Sequence, residues 1–203
     1  MKFVTGKLCA TVLCMASLAG ALTACAPILL GGAAIGALVA TDRRTSGAQL
    51  EDQGIELRAA GHIREALGDR VHVNVTSYNR QVLLTGEVPN QQDKERVEQI
   101  VSRVENVRAI VNELGVLGAT SLSQRSSDAL ITGKVKAAMV DAKDLYANAF
   151  RVVTERGTTY LMGRVTQREA DRATALTRST SGVRKVVRVL EIISEDELRR
   201  LLP

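Results

Sequence analysis

The segment Leu84–Val88, which reads LTGEV, recurs later in the chain as Leu161–Val165, which reads LMGRV. A second segment follows each copy at a similar distance: Asn106–Val111 reads NVRAIV, and Gly182–Val187 reads GVRKVV. Self-similarity of this kind is the sequence signature of a duplicated structural unit. We therefore predict that most of the chain consists of two copies of one small domain.

The boundaries of the two copies follow from the extent of the similarity. We place the first copy at residues 50–117, the second at residues 126–193, a linker at residues 118–125 and a short tail at residues 194–203. A domain of this size buries only a modest core, so we expect packing between the two copies to be favourable.

The spacing of apolar residues predicts the same order of elements in both copies. Apolar residues at helical spacing open each unit, and alternating valines follow as a strand. The predicted elements of the first copy are a helix around Ala59–Leu67, a strand from Val71 to Val75, a turn at Asn79 and Arg80, a strand from Gln81 to Leu84 that Gly86 ends, a helix from Gln91 to Val104, and a strand from Val107. The opening helices are aligned by matching Gly61–Ile63 with Gly133–Val135. Helix–strand–strand–helix–strand predicts an α+β fold with two helices packed on one face of a small mixed sheet.

Residues 1–24 have the pattern of a secretory signal. Lys2 and Lys7 precede an apolar run from Leu8 to Ala24, and the run ends in the tetrapeptide Leu22–Cys25 (LTAC). A basic start, an apolar core and small residues before a cleavage site define such a signal. A cysteine directly after the small residues matches the lipobox of bacterial lipoproteins. The alternative interpretation is an N-terminal membrane helix in which the cysteine is incidental.

Cys25 would be the only cysteine of the mature chain, because Cys9 and Cys14 lie within the signal. We predict lipidation of Cys25, and several acyl chains give a stable anchor where a single chain does not. Ala26 follows the cysteine, where lipoproteins kept at the inner membrane usually have Asp. This resemblance predicts anchoring to the outer membrane, facing the periplasm.

Residues 25–49 are expected to link the anchor to the first copy. The stretch Pro27–Ala40 is apolar and has 14 residues. As a helix it would reach only about 21 Å, short of a hydrocarbon core of about 30 Å. Thr41–Gln49, which contains Arg43 and Arg44, is interpreted as a polar connector.

Both copies resemble the BON domain, a small lipid-associated module of bacterial envelope proteins. The resemblance rests on the Leu-x-Gly-x-Val and Val-x-x-(Val/Ile)-Val elements quoted above. Together with the lipobox it makes the chain similar to dual BON-domain outer-membrane lipoproteins. That family implies binding of anionic phospholipid through the second domain, support of envelope integrity and enrichment at the division site. It also implies no enzymatic activity.

The opening helix of the second copy predicts which surface contacts lipid. At 100° per residue, Ile131, Val135, Ala138 and Met139 form one apolar stripe, which we assign to the core. A second apolar stripe lies opposite, with lysines between the two. The predicted lipid-binding residues are Leu130, Gly133, Lys134, Lys136, Ala137 and Val140. Such a helix suits partial insertion beneath anionic headgroups.

An alternative remains open at this point, since the second stripe could be the interface between the two copies. The matching helix of the first copy has an ordinary solvated face, with Arg58, Gly61, Glu65 and Gly68 opposite Ile63. Charge also separates the copies. Residues 50–117 hold 8 basic and 11 acidic residues, whereas residues 126–193 hold 12 basic and 7 acidic residues.

Residues for catalysis, cofactors or metals are not grouped in this sequence. His62 and His72 have no Cys, His or carboxylate at ligand spacing, so we expect no metal site, no catalytic residues and no cofactor. Asp93, Glu95 and Glu98 are interpreted as a solvated helix face. Aromatic residues make up 2% of the chain and Trp is absent, which argues against stacking on nucleic-acid bases.

Two functions are therefore considered. The first is a phospholipid-binding outer-membrane lipoprotein. The second is an adaptor that presents one copy to envelope proteins such as peptidoglycan hydrolase regulators or the outer-membrane assembly machinery. In the second case protein, rather than lipid, would cover Leu130 and Ala137.

Overall fold

The structure, a computed structural model, describes residues 42–201. The predicted signal, the lipidation of Cys25 and the apolar stretch Pro27–Ala40 lie outside the described residues. Within the described part, both copies of the repeat are complete.

The first domain contains two helices and four strands. They are α1 (Ser46–Leu67), β1 (His72–Tyr78), β2 (Gln81–Val88), α2 (Gln91–Val101), β3 (Ala109–Asn112) and β4 (Gly115–Val116). A 3₁₀ turn at Gly68–Arg70 joins α1 to β1.

The second domain repeats this order and adds a C-terminal helix. Its elements are α3 (Leu122–Asp141), β5 (Phe150–Glu155), β6 (Thr158–Val165), α4 (Gln167–Ser179), β7 (Lys185–Ile192) and α5 (Glu195–Leu201). The predicted tail is thus a short helix, and its Leu198 is buried.

Both sheets are mixed, as predicted. β1 pairs with β2 in antiparallel fashion, and β2 pairs with β3 and β4 in parallel. In the second domain β5 and β6 are antiparallel, and β6 and β7 are parallel. Each parallel pair is joined by a crossover helix, α2 or α4, as such a connection requires. The predicted α+β class is confirmed.

Polar caps fix where the four long helices begin. The side chains of Thr45, Asn90, Ser121 and Thr166 each accept a hydrogen bond from a backbone amide in the first turn of the helix that follows. These bonds satisfy amides that have no partner within the helix.

The two domains pack through their sheets. In β2, Val82 and Leu84 point into the core beneath α1 and α2, whereas Leu83 points to the other face. Tyr160 and Met162 of β6 point to the corresponding face of the second sheet, and they join Leu83 in one buried cluster. The layers therefore follow the order helices, sheet, sheet, helices, and each helical layer forms one outer side.

Several predicted boundaries were wrong. β2 continues to Val88 instead of ending at Gly86, and α2 ends at Val101, three residues early. Gly86 lies within β2, and this position requires glycine. A Cβ there would come within 2.1 Å of the His72 carbonyl oxygen, and its φ is +113°. A Cβ at Gly163 would likewise come within 2.4 Å of the Ala149 carbonyl oxygen. The shared glycine thus permits close approach of a neighbouring strand.

The sequence alignment of the two opening helices was also wrong, by about one turn. Asp52 on α1 accepts hydrogen bonds from the amides of Asn79 and Arg80, at 2.7 and 2.8 Å. Asp128 on α3 accepts from the amides of the corresponding turn, Arg156 and Gly157. These aspartates are therefore equivalent, and Ile63 corresponds to Met139 rather than to Val135.

Candidate membrane-binding surface

The inner side of α3 forms the core of the second domain. Ile131, Val135 and Met139 are buried in the cluster that includes Leu161 and Ala173. This is the core stripe that the sequence predicts. It fixes the rotation of α3, so the opposite side of the helix necessarily points away from the sheet.

That outer side exposes apolar side chains to solvent. Leu130 is 68% exposed and Val140 is 69% exposed, and Gly133 and Ala137 between them are exposed as well. Leu122, at 79% exposure, extends the same stripe toward the start of the helix. Leu122 was not predicted from the sequence to belong to this stripe, although five helical turns separate it from Val140 and helical spacing places both on one side. We call Leu122, Leu130, Gly133, Ala137 and Val140 the outer stripe.

Two exposed lysines lie on either flank of the outer stripe. Lys134 and Lys136 are solvent-accessible, and neither forms an ion pair within residues 42–201. Their ammonium groups therefore remain available to an external anion. The stripe and the two lysines together make an apolar surface with cationic edges.

The interpretation of the outer stripe as the interface between the domains is wrong. The domains meet through the cluster of Tyr78, Leu83, Tyr160, Met162 and Val189, all on the sheets. α3 lies on the other side of its sheet, in an outer layer.

The outer side of α1 is less polar than the sequence analysis proposed. Arg58, Gly61, Glu65 and Gly68 are exposed as expected. Leu50 and Leu57 are exposed too, Leu57 to 77%. The difference between the helices therefore lies mainly in the neighbouring charges. Glu51 pairs with Arg58 on α1 at 2.8 Å, whereas the lysines of α3 form no ion pair with any residue that the structure describes.

Arg43 is not part of a solvated connector. Its guanidinium donates to both carboxylate oxygens of Glu169, at 2.8 and 2.7 Å, and to the carbonyl oxygen of Arg164 at 2.9 Å. Both charged side chains are buried. Burial opposes the ionisation of Glu169, but hydrogen bonds from Arg43 and Thr166 outweigh it and hold the pKa of this carboxyl below its usual value.

Arg44 binds the first domain instead. It pairs with Asp42 and with Asp52, at 2.7 and 2.9 Å, and its guanidinium carbon lies 4.2 Å from the centre of the Tyr78 ring. Neither arginine was identified from the sequence, because their partners on the folded domains are distant in the chain. The helix α1 also begins inside the proposed connector, at Ser46.

Polar contacts surround the apolar centre of the domain interface. Asn79 donates to Glu191 at 2.6 Å, and Arg151 pairs with Glu56 at 3.1 Å. Glu87 is buried and accepts hydrogen bonds from the Thr120 backbone and side chain, which ties the linker to the first sheet.

Chemistry-bearing residues are dispersed over the described part of the chain. Among residues 42–201, no group of three or more His, Cys, Asp or Glu side chains could hold a metal ion. His62 is exposed, and His72 contacts Glu87 at 3.1 Å. Asp93 was wrongly assigned to a solvated face, since it is buried and pairs with Arg70 at 2.7 Å. No helix within this range is long and apolar enough to cross a bilayer.

These features define a protein made of two copies of one α+β module, the second of which displays an apolar helix edged with lysines. The BON domain family model matches residues 55–118 and 127–194. The chain belongs to the BON domain family, and it has the two-domain arrangement of the dual BON-domain lipoproteins.

Known relatives agree with this assignment. The chain is 35% identical over 174 residues to "Outer membrane lipoprotein DolP" of Haemophilus influenzae, covering 85% of this chain and 90% of the relative. It is 30% identical over 154 residues to the "21 kDa hemolysin" of Actinobacillus pleuropneumoniae, covering 75% of this chain and 79% of the relative. The first similarity supports an outer-membrane location.

Solved structures match only with low similarity. One of them is CdsD, a structural protein of the type III secretion system of Chlamydia trachomatis, at 14% identity and a TM-score of 0.30. The match covers 70% of this chain and 96% of that protein.

Proposed function

We propose that this protein is a non-enzymatic lipoprotein, anchored through Cys25 to the outer membrane, that binds anionic phospholipid through the outer stripe of α3. The observation that carries the proposal is the exposure of Leu130 and Val140 on a helix whose lysines have no partner within the described residues. Apolar side chains beside cations match the two layers that a membrane surface presents, acyl chains below and phosphates above.

Lys134 and Lys136 supply the preference for anionic lipid. A lysine near an anionic surface contributes about 1 kcal/mol, and the attraction is screened within a Debye length. The second domain as a whole carries 12 basic and 7 acidic residues, whereas the first carries 8 and 11. The electrostatic attraction therefore favours approach of the second domain.

The anchor makes weak contacts sufficient. Acyl chains on Cys25 would hold the domains at the membrane, so that α3 meets lipid at high effective concentration. Partial insertion of Leu130 and its neighbours then needs little affinity of its own. By its family, the protein would support envelope integrity, with enrichment at the division site.

The test is binding of a soluble form, starting at residue 26, to vesicles. We expect binding to vesicles that contain anionic phospholipid and much weaker binding to zwitterionic vesicles. Leu130→Glu combined with Lys134→Glu should abolish binding while the circular dichroism spectrum stays unchanged, because both side chains are exposed. Equal binding to both lipids, or none to either, contradicts the proposal.

The matched control lies on α1. Leu57→Glu combined with Arg58→Glu changes the net charge by the same amount on an equally exposed helix. This variant should bind as the unsubstituted protein does. If both double variants lose binding equally, net charge rather than the outer stripe controls the interaction.

The adaptor function predicts a different outcome of a related experiment. Photocrosslinkers at Leu130 and Ala137 should capture phospholipid in cells if the outer stripe lies on the membrane. Capture of a single envelope protein in place of lipid would favour the adaptor.

A further inference from the structure

One edge of the first sheet is open. β1 pairs with β2 on one side, and it pairs with no strand of residues 42–201 on the other. In an antiparallel pair, alternate residues of a strand direct their amide and carbonyl groups away from the partner strand. Ser77 is such a residue, because its amide donates to Glu56 of α1 at 2.8 Å. Val73 and Val75 share the register of Ser77, so their backbone groups also point to the open side.

The composition of β1 leaves this edge unprotected. Its seven residues, His72–Tyr78 (HVNVTSY), include no Lys, Arg, Asp or Glu. β7, which is also an edge strand, carries Lys185, Arg188 and Glu191. Charged side chains of this kind discourage another chain from pairing with an edge. β1 therefore lacks the protection that β7 has.

A groove of about 740 Å³ lies along the open edge of β1. Residues 73–76 of β1 form its base. Glu56 and Leu57 of α1 line one side, and Val153 and Glu155 of β5 line the other. The groove thus lies between the helical layer of the first domain and the sheet of the second, where a further strand of the first sheet would fit.

Acidic side chains line the groove, and one of them lacks a cationic partner. Glu56 pairs with Arg151 at 3.1 Å. Glu155 accepts a hydrogen bond from Asn74 at 3.1 Å, but it forms no ion pair with any residue that the structure describes. Burial and the nearby carboxylate of Glu87 raise the pKa of Glu155. A cation beside Glu155 would offset both effects.

Charge argues against a second copy of this chain as the occupant of the groove. β1 of a second copy would bring no Lys or Arg to Glu155. Two first domains, each with 8 basic and 11 acidic residues, would also repel one another. A basic segment of a different protein complements the groove instead.

We propose that the open edge of β1 binds an extended basic segment of another protein, which adds to the first sheet as a strand. Its backbone pairs with the free groups of Val73 and Val75. An apolar side chain contacts Leu57 and Val153, and a Lys or Arg reaches Glu155. In this mode the backbone hydrogen bonds supply affinity and the side-chain contacts supply specificity. The surface is separate from the outer stripe, so it adds protein binding to the proposed function.

The probe is a display library of random peptides of about ten residues, the length of a long strand. Selection uses the soluble form that begins at residue 26. We expect the selected peptides to alternate β-branched or aromatic residues with polar ones and to contain Lys or Arg. A synthetic selected peptide should slow hydrogen exchange of the Val73 and Val75 amides roughly tenfold or more. No selection, or peptides that leave both amides unprotected, overturns the proposal.

The backbone contribution is tested by Val75→Pro. Proline removes the amide donor on the open side and leaves the hydrogen bonds between β1 and β2 in place. Peptide affinity should fall roughly fivefold or more, as expected for the loss of one hydrogen bond. The matched control, Val75→Thr, keeps the amide and should bind normally. Equal affinity of both variants contradicts strand addition, and if the proline variant does not fold, the Glu155 variants decide.

The charge contribution is tested by Glu155→Gln, which retains an acceptor for Asn74. Affinity for a Lys-containing selected peptide should fall roughly fivefold or more. The matched control is Glu98→Gln on α2, since Glu98 also accepts from an asparagine, Asn112, at 2.9 Å but lies outside the groove. An equal loss in the control would overturn the proposal. Glu155→Lys should reverse the preference and bind the same peptide with its Lys replaced by Glu.

Two further measurements separate this inference from its alternatives. Leu130→Glu combined with Lys134→Glu should leave peptide binding unchanged, because the outer stripe lies on α3, and a loss there would refute the β1 edge as the site. Sedimentation equilibrium of the free protein tests the second copy. A dimer that Val75→Pro dissociates would assign the edge to self-association and overturn the proposal.

Discussion

The two domains share their interior and differ on their outer sides. Each has a buried aspartate, Asp52 or Asp128, that accepts hydrogen bonds from the amides of its β-hairpin turn. Each also has a glycine, Gly86 or Gly163, where a neighbouring strand passes closely. Duplication has therefore preserved what builds the module, while the outer helix of each domain is left to differ.

Exposure of apolar residues alone does not distinguish the outer helices. α1 exposes Leu50 and Leu57, and α3 exposes Leu122, Leu130 and Val140. The distinction lies in net charge, because α1 carries 4 acidic and 2 basic residues, whereas α3 carries 3 basic and 2 acidic residues. Comparable apolar surface can thus be directed toward different surroundings by the sign of the charges beside it.

The largest difference between the domains should come from their shared glycines. Gly86→Ala brings a Cβ within 2.1 Å of a carbonyl oxygen at a φ of +113°, whereas Gly163→Ala meets one at 2.4 Å without a positive φ. We expect losses of about 4 and about 2 kcal/mol in the free energy of unfolding, respectively. Urea denaturation of the soluble form measures both, and a neutral Gly86→Ala would show that β1 can move aside.

The buried aspartates should give the next largest effect. Asp52 accepts from Ser77, Asn79, Arg80 and Arg44, whereas Asp128 accepts from two amides and Gln124. Removing a carboxylate leaves buried hydrogen-bond donors without an acceptor. We therefore expect Asp52→Ala to lower the free energy of unfolding by about 3 kcal/mol and Asp128→Ala by about 2 kcal/mol. Thermal unfolding compares them, and equal losses would mean that the additional bonds from Arg44 and Ser77 add no stability.

The interface tyrosines should make the protein sensitive to alkali. Burial raises the pKa of Tyr78 to about 12, and burial together with Glu113 raises the pKa of Tyr160. Unfolded tyrosine ionises near pH 10, so between pH 10 and 12 the unfolded chain loses protons that the folded protein keeps. Stability should therefore fall with rising pH across this window, by about 2 kcal/mol for Tyr78.

Unfolding free energies measured from pH 9 upward test this dependence. Tyr78→Phe should flatten part of the decline, and Tyr160→Phe should flatten another part. A decline that neither substitution alters would place the alkaline sensitivity outside the domain interface.

The smallest expected effect is on vesicle binding, and it compares the outer sides of α1 and α3. Leu130→Ala should weaken binding of the soluble form to anionic vesicles by about 1 kcal/mol, or roughly fivefold, because a partly inserted side chain is removed. Leu57→Ala, on α1, should leave vesicle binding unchanged. Vesicle sedimentation measures both, and equal weakening would mean that both helices touch lipid.

The sequence was sufficient to predict the duplication, the order of elements and the rotation of α3. These follow from local periodicity, since Ile131, Val135 and Met139 recur at helical spacing. Helical spacing would also have identified Leu122, had the stripe been followed to the start of the helix. The equivalence of Asp52 and Asp128 was hidden because the opening helices were aligned on their glycines.

The contacts of Arg43 and Arg44 could not be predicted in this way. Arg43 lies 126 residues before Glu169, and their contact exists only because the two sheets pack face to face. Polar residues in a short segment before a helix are typical of a connector. Only the assembled domains supply the buried carboxylates that change this interpretation.

If the protein faces the periplasm as proposed, the layer order decides which of its helices point away from the membrane. With the helices of the second domain resting on a bilayer, those of the first must point away from it, since two stacked sheets separate them. The exposed leucines of α1 would then face the periplasmic space, where they would be accessible to a soluble or peptidoglycan-bound protein. The protein would thereby present one helical layer to the membrane and the other to the periplasmic space.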